Sequence, residues 1–247
     1  MRKLFIAETG HAPDALPAAF GEYGEMTSRM LAQVGYSPSM KVVKVYQGDR
    51  LPRPTGGEDL LITGSPAAVY EDHSWIPPLE EAVRMFMAAG GRVVGICFGH
   101  QLMAQALGGS VEKSAKGWGV GVHTYDMAVE TPPWGEGPLR FSCAVSHQDQ
   151  VTVLPPGAIR LAGSAFCANG AIAYRTAGAE AHAGFSGLSF QMHPEFEAAF
   201  GLALLDARRT IIPRPVADLA RASYRGGTDR EKMAQWISSF LAEANIK

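Results

Sequence analysis

The chain contains few cysteines, and their spacing fits neither a disulfide framework nor a metal site. Its 247 residues include three, Cys97, Cys143 and Cys167, and no two of them form a C-x-x-C pair. An odd number of widely spaced cysteines is typical of a reducing compartment, so we expect a cytoplasmic protein. The histidines also lack partners at metal-ligand spacing. We therefore expect no metal and no other cofactor.

The sequence also has no strong charge of either sign and no long apolar run. Its 22 basic and 24 acidic residues give a formal net charge of -2, without a basic block. A nucleic-acid partner therefore has no electrostatic support. No apolar run approaches the roughly 18 residues of a membrane-spanning helix. The apolar residues that precede Glu8 are too few for a signal peptide, so we expect no membrane partner.

Strand and helix patterns alternate along the first part of the chain. Short apolar runs predict strands at residues 3–7, 41–46, 59–63 and 92–96. Helical spacing predicts helices at about 22–34 and 77–88. This order is that of parallel βαβ units, and the strand-like segments of residues 119–191 should add antiparallel pairs. The sequence thus predicts an α/β fold with a three-layer, open, mixed but mainly parallel sheet flanked by helices.

The stretch "RVVGICFGHQLMAQALGG", residues 92–109, predicts a strand that turns sharply into a helix. The strand pattern ends at Ile96, and apolar residues then recur at helical spacing. Cys97 stands on the turn, in G-I-C-F-G, which has the spacing of a nucleophile elbow. Flanking glycines remove steric clashes there, and a helix N-terminus favours thiolate over thiol. Cys97 is therefore a candidate nucleophile, although a small buried cysteine would fit the same pattern.

The stretch "GLSFQMHPEFE", residues 187–197, alternates apolar with small or polar residues and predicts a strand that ends at His193. Pro194 restrains His193 to an extended backbone, which places His193 and Glu195 on the same side of the chain. Glu195 can then accept a hydrogen bond from the imidazole and fix its tautomer. His193 is thus a candidate base for Cys97, and Glu195 is the residue that orients it.

Together, G-I-C-F-G-H-Q at residues 95–101 and H-P-E at residues 193–195 resemble the class I glutamine amidotransferase family. The resemblance implies a flavodoxin-like fold and a catalytic triad of Cys97, His193 and Glu195. It also implies that the substrate is glutamine or another small γ-glutamyl molecule.

The stretch "LLITGSPAAVYED", residues 60–72, carries the same resemblance. In the family, a strand and a glycine turn of this kind supply an N–H group to the oxyanion hole, which implies that role for Gly64. Because the residue after an elbow nucleophile also faces the oxyanion, Phe98 is the expected second donor. The sequence departs from the family pattern at Ser65, where a second glycine is usual.

The stretch "AVSHQDQV", residues 144–151, resembles the S-H-G-D segment of the family branch that includes the amidotransferase domain of GMP synthetase, with Gln148 where that motif has glycine. The resemblance implies that this segment and Gln101 hold the α-amino and α-carboxylate ends of the substrate. Within it, Ser146 and His147 are the expected substrate-binding residues.

These residues predict a cysteine-nucleophile enzyme that hydrolyses the side-chain amide of glutamine through a γ-glutamyl thioester on Cys97, releasing glutamate and ammonia. Two alternatives stay open: a stand-alone γ-glutamyl peptidase acting on γ-glutamyl peptides or conjugates, and a catalytically silent regulatory subunit. About fifty residues follow Glu195, which are too few for an ATP-using acceptor domain. If ammonia is transferred, we therefore expect the partner to be a separate synthetase subunit.

The last residues differ in pattern from those before them. Pro213 and Pro215 interrupt the chain, and apolar residues then recur at helical spacing between residues 229 and 241. We expect a class I glutamine amidotransferase-like domain at residues 1–212 and a helical C-terminal extension at residues 213–247 packed on it. Docking of a protein partner on the last helix is the alternative.

Overall fold

The computed structural model describes residues 2–129, 139–175 and 184–242. The strands are β1 (Lys3–Glu8), β2 (Ser39–Lys44), β3 (Glu58–Ile62), β4 (Val93–Ile96), β5 (Ser110–Lys113), β6 (Gly119–Met127), β7 (Arg140–His147), β8 (Asp149–Val153), β9 (Ile159–Gly163), β10 (Ala171–Arg175) and β11 (Phe185–Phe190). The helices are α1 (Tyr23–Gln33), α2 (Ile76–Ala88), α3 (Phe98–Ala106), α4 (Ala198–Ala207), α5 (Arg214–Ser223) and α6 (Arg230–Ala242). None of these described helices combines the length and the apolar character needed to cross a membrane.

Within the described ranges, nine strands form one sheet in the order β2-β1-β3-β4-β11-β10-β9-β6-β7, and β5 pairs with β8 separately. The strands from β2 to β11 pair in parallel. The strands from β11 to β7 pair antiparallel. The predicted mixed and mainly parallel α/β sheet is therefore confirmed.

Helices cover both faces of the parallel half of the sheet. Along β1, Leu4 and Ile6 belong to the apolar core shared with α1 and α6, whereas Phe5 and Ala7 belong to the core shared with α2 and α3. Successive side chains of a strand point to opposite faces, so one strand serves both cores. The result is the three-layer arrangement that the sequence predicts.

Gly64, Cys97 and His193 each lie just beyond the carboxyl end of a strand, namely β3, β4 and β11. These three strands are parallel neighbours in the sheet. Because the carboxyl ends of parallel strands meet at one edge, their following residues come together there.

The helix α6 packs against the sheet through its apolar face. Met233, Ile237 and Phe240 are buried in the same core as the residues of β1 that face α1. The Trp236 ring lies 6.3 Å from Phe141 of β7 and 5.5 Å from Phe190 of β11, measured between ring centroids. α6 therefore touches the strand that leads to His193.

Candidate active site

Cys97 has a strained backbone. Its φ of 50° and ψ of -98° lie outside the ordinary regions, and it is the one non-glycine residue with positive φ among those that the structure describes. Its N–H donates to the Phe190 carbonyl over 2.8 Å, which ties the turn to β11. Such backbone strain costs about 1–3 kcal/mol and persists only where the surroundings enforce it.

The glycines on both sides of Cys97 are required by close contacts. A Cβ at Gly95 would lie 2.5 Å from the Gly99 carbonyl, and a Cβ at Gly99 would lie 2.4 Å from the Ile62 carbonyl oxygen. Both distances are far inside van der Waals contact, so a side chain at either position would push the strand and the helix apart. The G-x-C-x-G spacing thus has the steric basis of a sharp elbow.

His193 and Glu195 form a buried pair beside this turn. The His193 Nδ1 lies 2.7 Å from the Glu195 Oε1. Because a carboxylate accepts, Nδ1 carries the proton and Nε2 is the nitrogen left to face Cys97. The imidazole also stacks on the Phe196 ring, with centroids 4.0 Å apart, and its backbone N–H donates to the Ala144 carbonyl. These contacts hold the ring in one orientation.

The charge of His193 is set by its neighbours. Burial on its own would lower the pKa of His193, but the negative charges of Glu195 and Cys97 and hydrogen bonds to both outweigh it and raise that pKa to about 10. The imidazole is therefore protonated at neutral pH. His193 thus carries a proton next to the Cys97 sulfur in the absence of substrate.

Gly64 and Phe98 frame the space next to Cys97. A Cβ on Gly64 would lie 3.6 Å from the Cys97 Cβ and 2.8 Å from the His193 Cε1, so position 64 has little room for a side chain beside these two residues. Phe98 is the first residue of α3, and the first N–H groups of a helix have no partner within it. Gly64 and Phe98 therefore both lie next to Cys97.

Gln101 and His147 meet at one backbone carbonyl. The Gln101 Nε2 donates to the Asp149 carbonyl over 2.9 Å, and the His147 Nδ1 donates to the same oxygen over 3.0 Å. Burial lowers the pKa of His147 to about 3, so its ring is neutral. These two side chains fix the start of β8 rather than pointing freely into the site.

Ser146 lies at the same end of β7 but is engaged elsewhere. Its hydroxyl accepts a hydrogen bond from the Arg208 Nη1 over 2.7 Å, and the guanidinium packs over the Trp118 ring. Ser146 therefore holds the guanidinium of Arg208, a residue that the sequence motifs did not identify. Position 148 does not require a glycine, because the backbone of Gln148 does not have a positive φ.

Two further side chains reach the site without having been predicted to do so. Burial raises the pKa of Tyr70, and the charge of the Asp149 carboxylate raises it further; burial also raises the pKa of Asp149. The Gln191 Nε2 lies 3.6 Å from the Cys97 Sγ. The sequence signal that could have identified Gln191 is strand alternation: residues two apart face the same side of an extended chain, and His193 is two residues after Gln191.

Neither of the other two cysteines shares these surroundings. Cys143 and Cys167 are fully buried. Burial raises the pKa of both thiols, that of Cys167 to about 12. In the described ranges, no group of three or more His, Cys, Asp or Glu side chains is arranged to hold a metal ion.

The fold and the site define a class of protein, in which an α/β sheet holds a strained cysteine opposite a His–Glu pair at one edge. The sequence model of the family described as Glutamine amidotransferase class-I matches residues 19–201. The chain therefore belongs to the class I glutamine amidotransferase family, as its motifs predict.

Relatives of known name cover different shares of the chain. A glutamine amidotransferase-like protein of Schizosaccharomyces pombe is 30% identical over 245 residues, which are 92% of this chain and 94% of the relative. Gamma-glutamyl peptidase 3 of Arabidopsis thaliana is 30% identical over 156 residues, which are 61% of this chain and 58% of the peptidase. GMP synthase of Treponema denticola is 32% identical over 155 residues, which are 62% of this chain and 28% of the synthase.

A solved structure has the same fold over its whole length. A glutamine amidotransferase of Thermotoga maritima superposes with a TM-score of 0.72 at 19% identity, over 98% of this chain and 99% of that chain. This likeness confirms the predicted flavodoxin-like, class I amidotransferase-like architecture.

Proposed function

We propose that the chain hydrolyses the side-chain amide of glutamine through a γ-glutamyl thioester on Cys97, releasing glutamate and ammonia. The observation that carries this proposal is the strained turn of Cys97 beside the buried His193–Glu195 pair. Enforced backbone strain clusters at active sites, and a cysteine, a base and an orienting acid are the parts that a thiol nucleophile needs.

The first step is attack of the sulfur on the amide carbon. With His193 protonated, Cys97 attacks as a thiolate, and a bond forms between its Sγ and the carbonyl carbon. The N–H groups of Gly64 and Phe98 hold the resulting oxyanion, and each such donor contributes about 3 kcal/mol to lowering the barrier. His193 then gives its proton to the departing nitrogen, so that the C–N bond breaks and ammonia leaves.

The second step returns the enzyme to its starting state. The neutral imidazole takes a proton from water, whose oxygen attacks the thioester carbon, and the same N–H groups hold the second oxyanion. The C–S bond breaks, glutamate leaves, and the thiolate and imidazolium are restored. Glu195 keeps the Nδ1 proton in place throughout, so His193 acts through Nε2 in both steps.

To bind the substrate, the protein needs an anion for its α-ammonium group and a cation for its α-carboxylate group. Gln101 and His147 fix the backbone of Asp149, whose carboxylate is suited to the substrate α-ammonium group. Ser146 holds the Arg208 guanidinium, which has further N–H donors suited to a carboxylate. In this proposal the three residues expected to bind substrate do so mainly by placing Asp149 and Arg208.

A second candidate is a γ-glutamyl peptidase. The same steps cleave a γ-glutamyl peptide bond when the leaving nitrogen belongs to an amino acid instead of ammonia. Its support is the likeness to relatives named Gamma-glutamyl peptidase 3 and Gamma-glutamyl peptidase 5 of Arabidopsis thaliana, the second matching over 91% of this chain.

The transfer of ammonia would need a separate synthetase subunit. Its support is the likeness to one subunit of a glutamine-hydrolyzing GMP synthase of Methanoculleus marisnigri, which matches over 37% of this chain at 38% identity. An amidotransferase that awaits such a partner should be slow alone, because its site is completed on binding.

A release assay across glutamine, γ-glutamyl dipeptides and γ-glutamyl alkylamides tests these proposals. We expect the purified chain to release ammonia from glutamine, and Cys97→Ala to release none. Cys143→Ala is the matched control, because Cys143 is a buried cysteine outside the site, and it should keep the activity.

The outcomes separate the candidates. Faster release of amines from dipeptides than of ammonia from glutamine would establish the peptidase. Turnover near a typical enzyme rate of about 10 s⁻¹ without a partner would exclude dependence on a synthetase. If no γ-glutamyl compound is turned over and no thioester is trapped, the hydrolytic function itself is wrong and the silent regulatory subunit is favoured.

A further inference from the structure

Gln191 is a fully buried amide next to the reactive sulfur. It follows β11 directly, and its Nε2 lies 3.6 Å from the Cys97 Sγ. Its backbone N–H donates to the Gly170 carbonyl over 2.9 Å, so its main chain is held as well. No step of the proposed reaction makes use of this side chain.

A chain of hydrogen bonds fixes which end of the Gln191 amide faces the sulfur. The Asp149 carbonyl can only accept, so the Gln101 group beside it must be the amide nitrogen. The same nitrogen donates its other hydrogen to the Gln191 Oε1 over 3.2 Å. With its oxygen occupied in this way, Gln191 turns its Nε2, a donor, toward Cys97.

We propose that Gln191 is a positioning residue for Cys97, and that its amide N–H stabilises the thiolate and holds it opposite His193. A donor next to sulfur stabilises the anion more than the thiol, because hydrogen bonds to charged acceptors are the stronger ones. Gln101 is itself oriented by the Asp149 carbonyl, so the first residue of β8 also helps to position the nucleophile.

This inference rests on the proposed function in taking Cys97 as the reacting group. Its test therefore uses a small alkylating agent, iodoacetamide, which reports on the thiolate without any γ-glutamyl substrate. A shift in alkylation together with absent turnover would leave Gln191 in its role and reject the proposed function alone.

The other titratable groups near Cys97 do not obscure the pH dependence of its alkylation. His193 faces the sulfur, with Glu195 behind it. The charge of Cys97 also acts on Tyr23, Tyr125 and Cys167. Burial raises the pKa of these last three groups, so they remain neutral over the range of the experiment.

The experiment measures the rate of Cys97 alkylation from about pH 4 to about pH 9 in the wild type and in Gln191→Met. We expect the pH of half-maximal rate to rise by about 1 unit in the variant, a tenfold loss of thiolate at a given pH below the midpoint. With substrate, kcat should fall while KM changes little. Gln105→Met is the matched control: it removes a half-buried glutamine on α3 that bonds to Val69 and Glu80, and the midpoint should stay unchanged.

Gln191→Glu separates positioning from mere packing. It keeps the shape of the side chain and an acceptor for Gln101, but it places a second acceptor oxygen against the sulfur. We expect its midpoint to rise above that of Gln191→Met, whereas a packing role predicts the wild-type value. Gln101→Met leaves Gln191 in place but removes the group that orients its amide, so we expect a smaller rise in the alkylation midpoint. This variant decides the question if neither Gln191 variant folds. An unchanged midpoint in folded Gln191→Met or Gln191→Glu overturns the proposal.

Discussion

Gly64 lies directly against the ring of His193: a Cβ on this glycine would stand 2.8 Å from the His193 Cε1. Gly64→Ala must therefore displace either the imidazole or the loop that carries the proposed oxyanion donor. We expect kcat to fall about 10²- to 10³-fold, the cost of losing one such donor or of misplacing a catalytic group by about 1 Å.

Gly57→Ala is the matched control for this substitution, since no described atom beyond its chain neighbours lies within 4 Å of its Cβ position. It should keep full activity. Steady-state rates with glutamine and with a γ-glutamyl dipeptide give the comparison. Full activity in Gly64→Ala would place the oxyanion hole elsewhere.

The raised pKa of His193 predicts a definite pH profile. Its imidazole is protonated below a pKa of about 10, and the departing nitrogen needs that proton. We therefore expect kcat/KM to hold across neutral pH and to fall as the pH rises through about 10. Of the charges that raise this pKa, that of Glu195 acts most strongly.

In Glu195→Gln that charge is lost, so the pKa of His193 falls and the alkaline limb of the pH profile moves to lower pH. Some activity should remain, because Glu195 acts through the imidazole, whereas His193→Ala should be inactive. Glu197→Gln makes the same change of charge on an exposed side chain and should leave the profile in place. A limb that stays fixed in Glu195→Gln would contradict the proposed pair.

The three cysteines should differ sharply in their reactivity toward an electrophilic glutamine analogue. We expect Cys97 to be labelled alone, because its turn faces His193 and the proposed substrate site. Cys143 and Cys167 are buried as thiols whose pKa is raised by burial. Intact mass and peptide mapping would locate the label. Cys167→Ala should be labelled like the wild type, and a label on Cys143 would refute the assignment of the nucleophile.

The placement of Gly64, Cys97 and His193 could be predicted because it depends on local signals and on one rule of sheets. Each residue lies within three residues of the end of a strand, and the carboxyl ends of parallel strands share an edge. The elbow could be predicted for a similar reason, since the contacts that require Gly95 and Gly99 involve their own turn and the neighbouring β3.

The partners of the substrate-binding candidates could not be predicted in this way. Ser146 bonds to Arg208, which lies 62 residues on at the end of α4, and the position of a helix on a sheet depends on packing that no local pattern encodes. Gln101 and His147 converge on a backbone carbonyl, which carries no side-chain signal at all. Motif resemblance therefore pointed to these residues as substrate-binding candidates without revealing the partners that they have in the structure.

The packing of Trp236 leads to a prediction about the C-terminal extension. We propose that residues 213–247, of which 243–247 lie outside the described residues, form an extension packed on a domain of residues 1–212. Trp236 is buried between Phe141 and Phe190, and the Phe190 carbonyl holds the N–H of Cys97. Trp236→Ala would leave a cavity at this junction and should lower the free energy of unfolding by about 3–5 kcal/mol.

Urea denaturation followed by circular dichroism would measure this loss. Leu219→Ala is the matched control within the same extension, because Leu219 is 74% exposed, and it should change stability by less than about 0.5 kcal/mol. We expect one cooperative transition in both variants, because α6 shares its core with β1. A separate early transition in Trp236→Ala, with Cys97 still labelled after it, would show that the extension unfolds on its own and that the elbow does not depend on it.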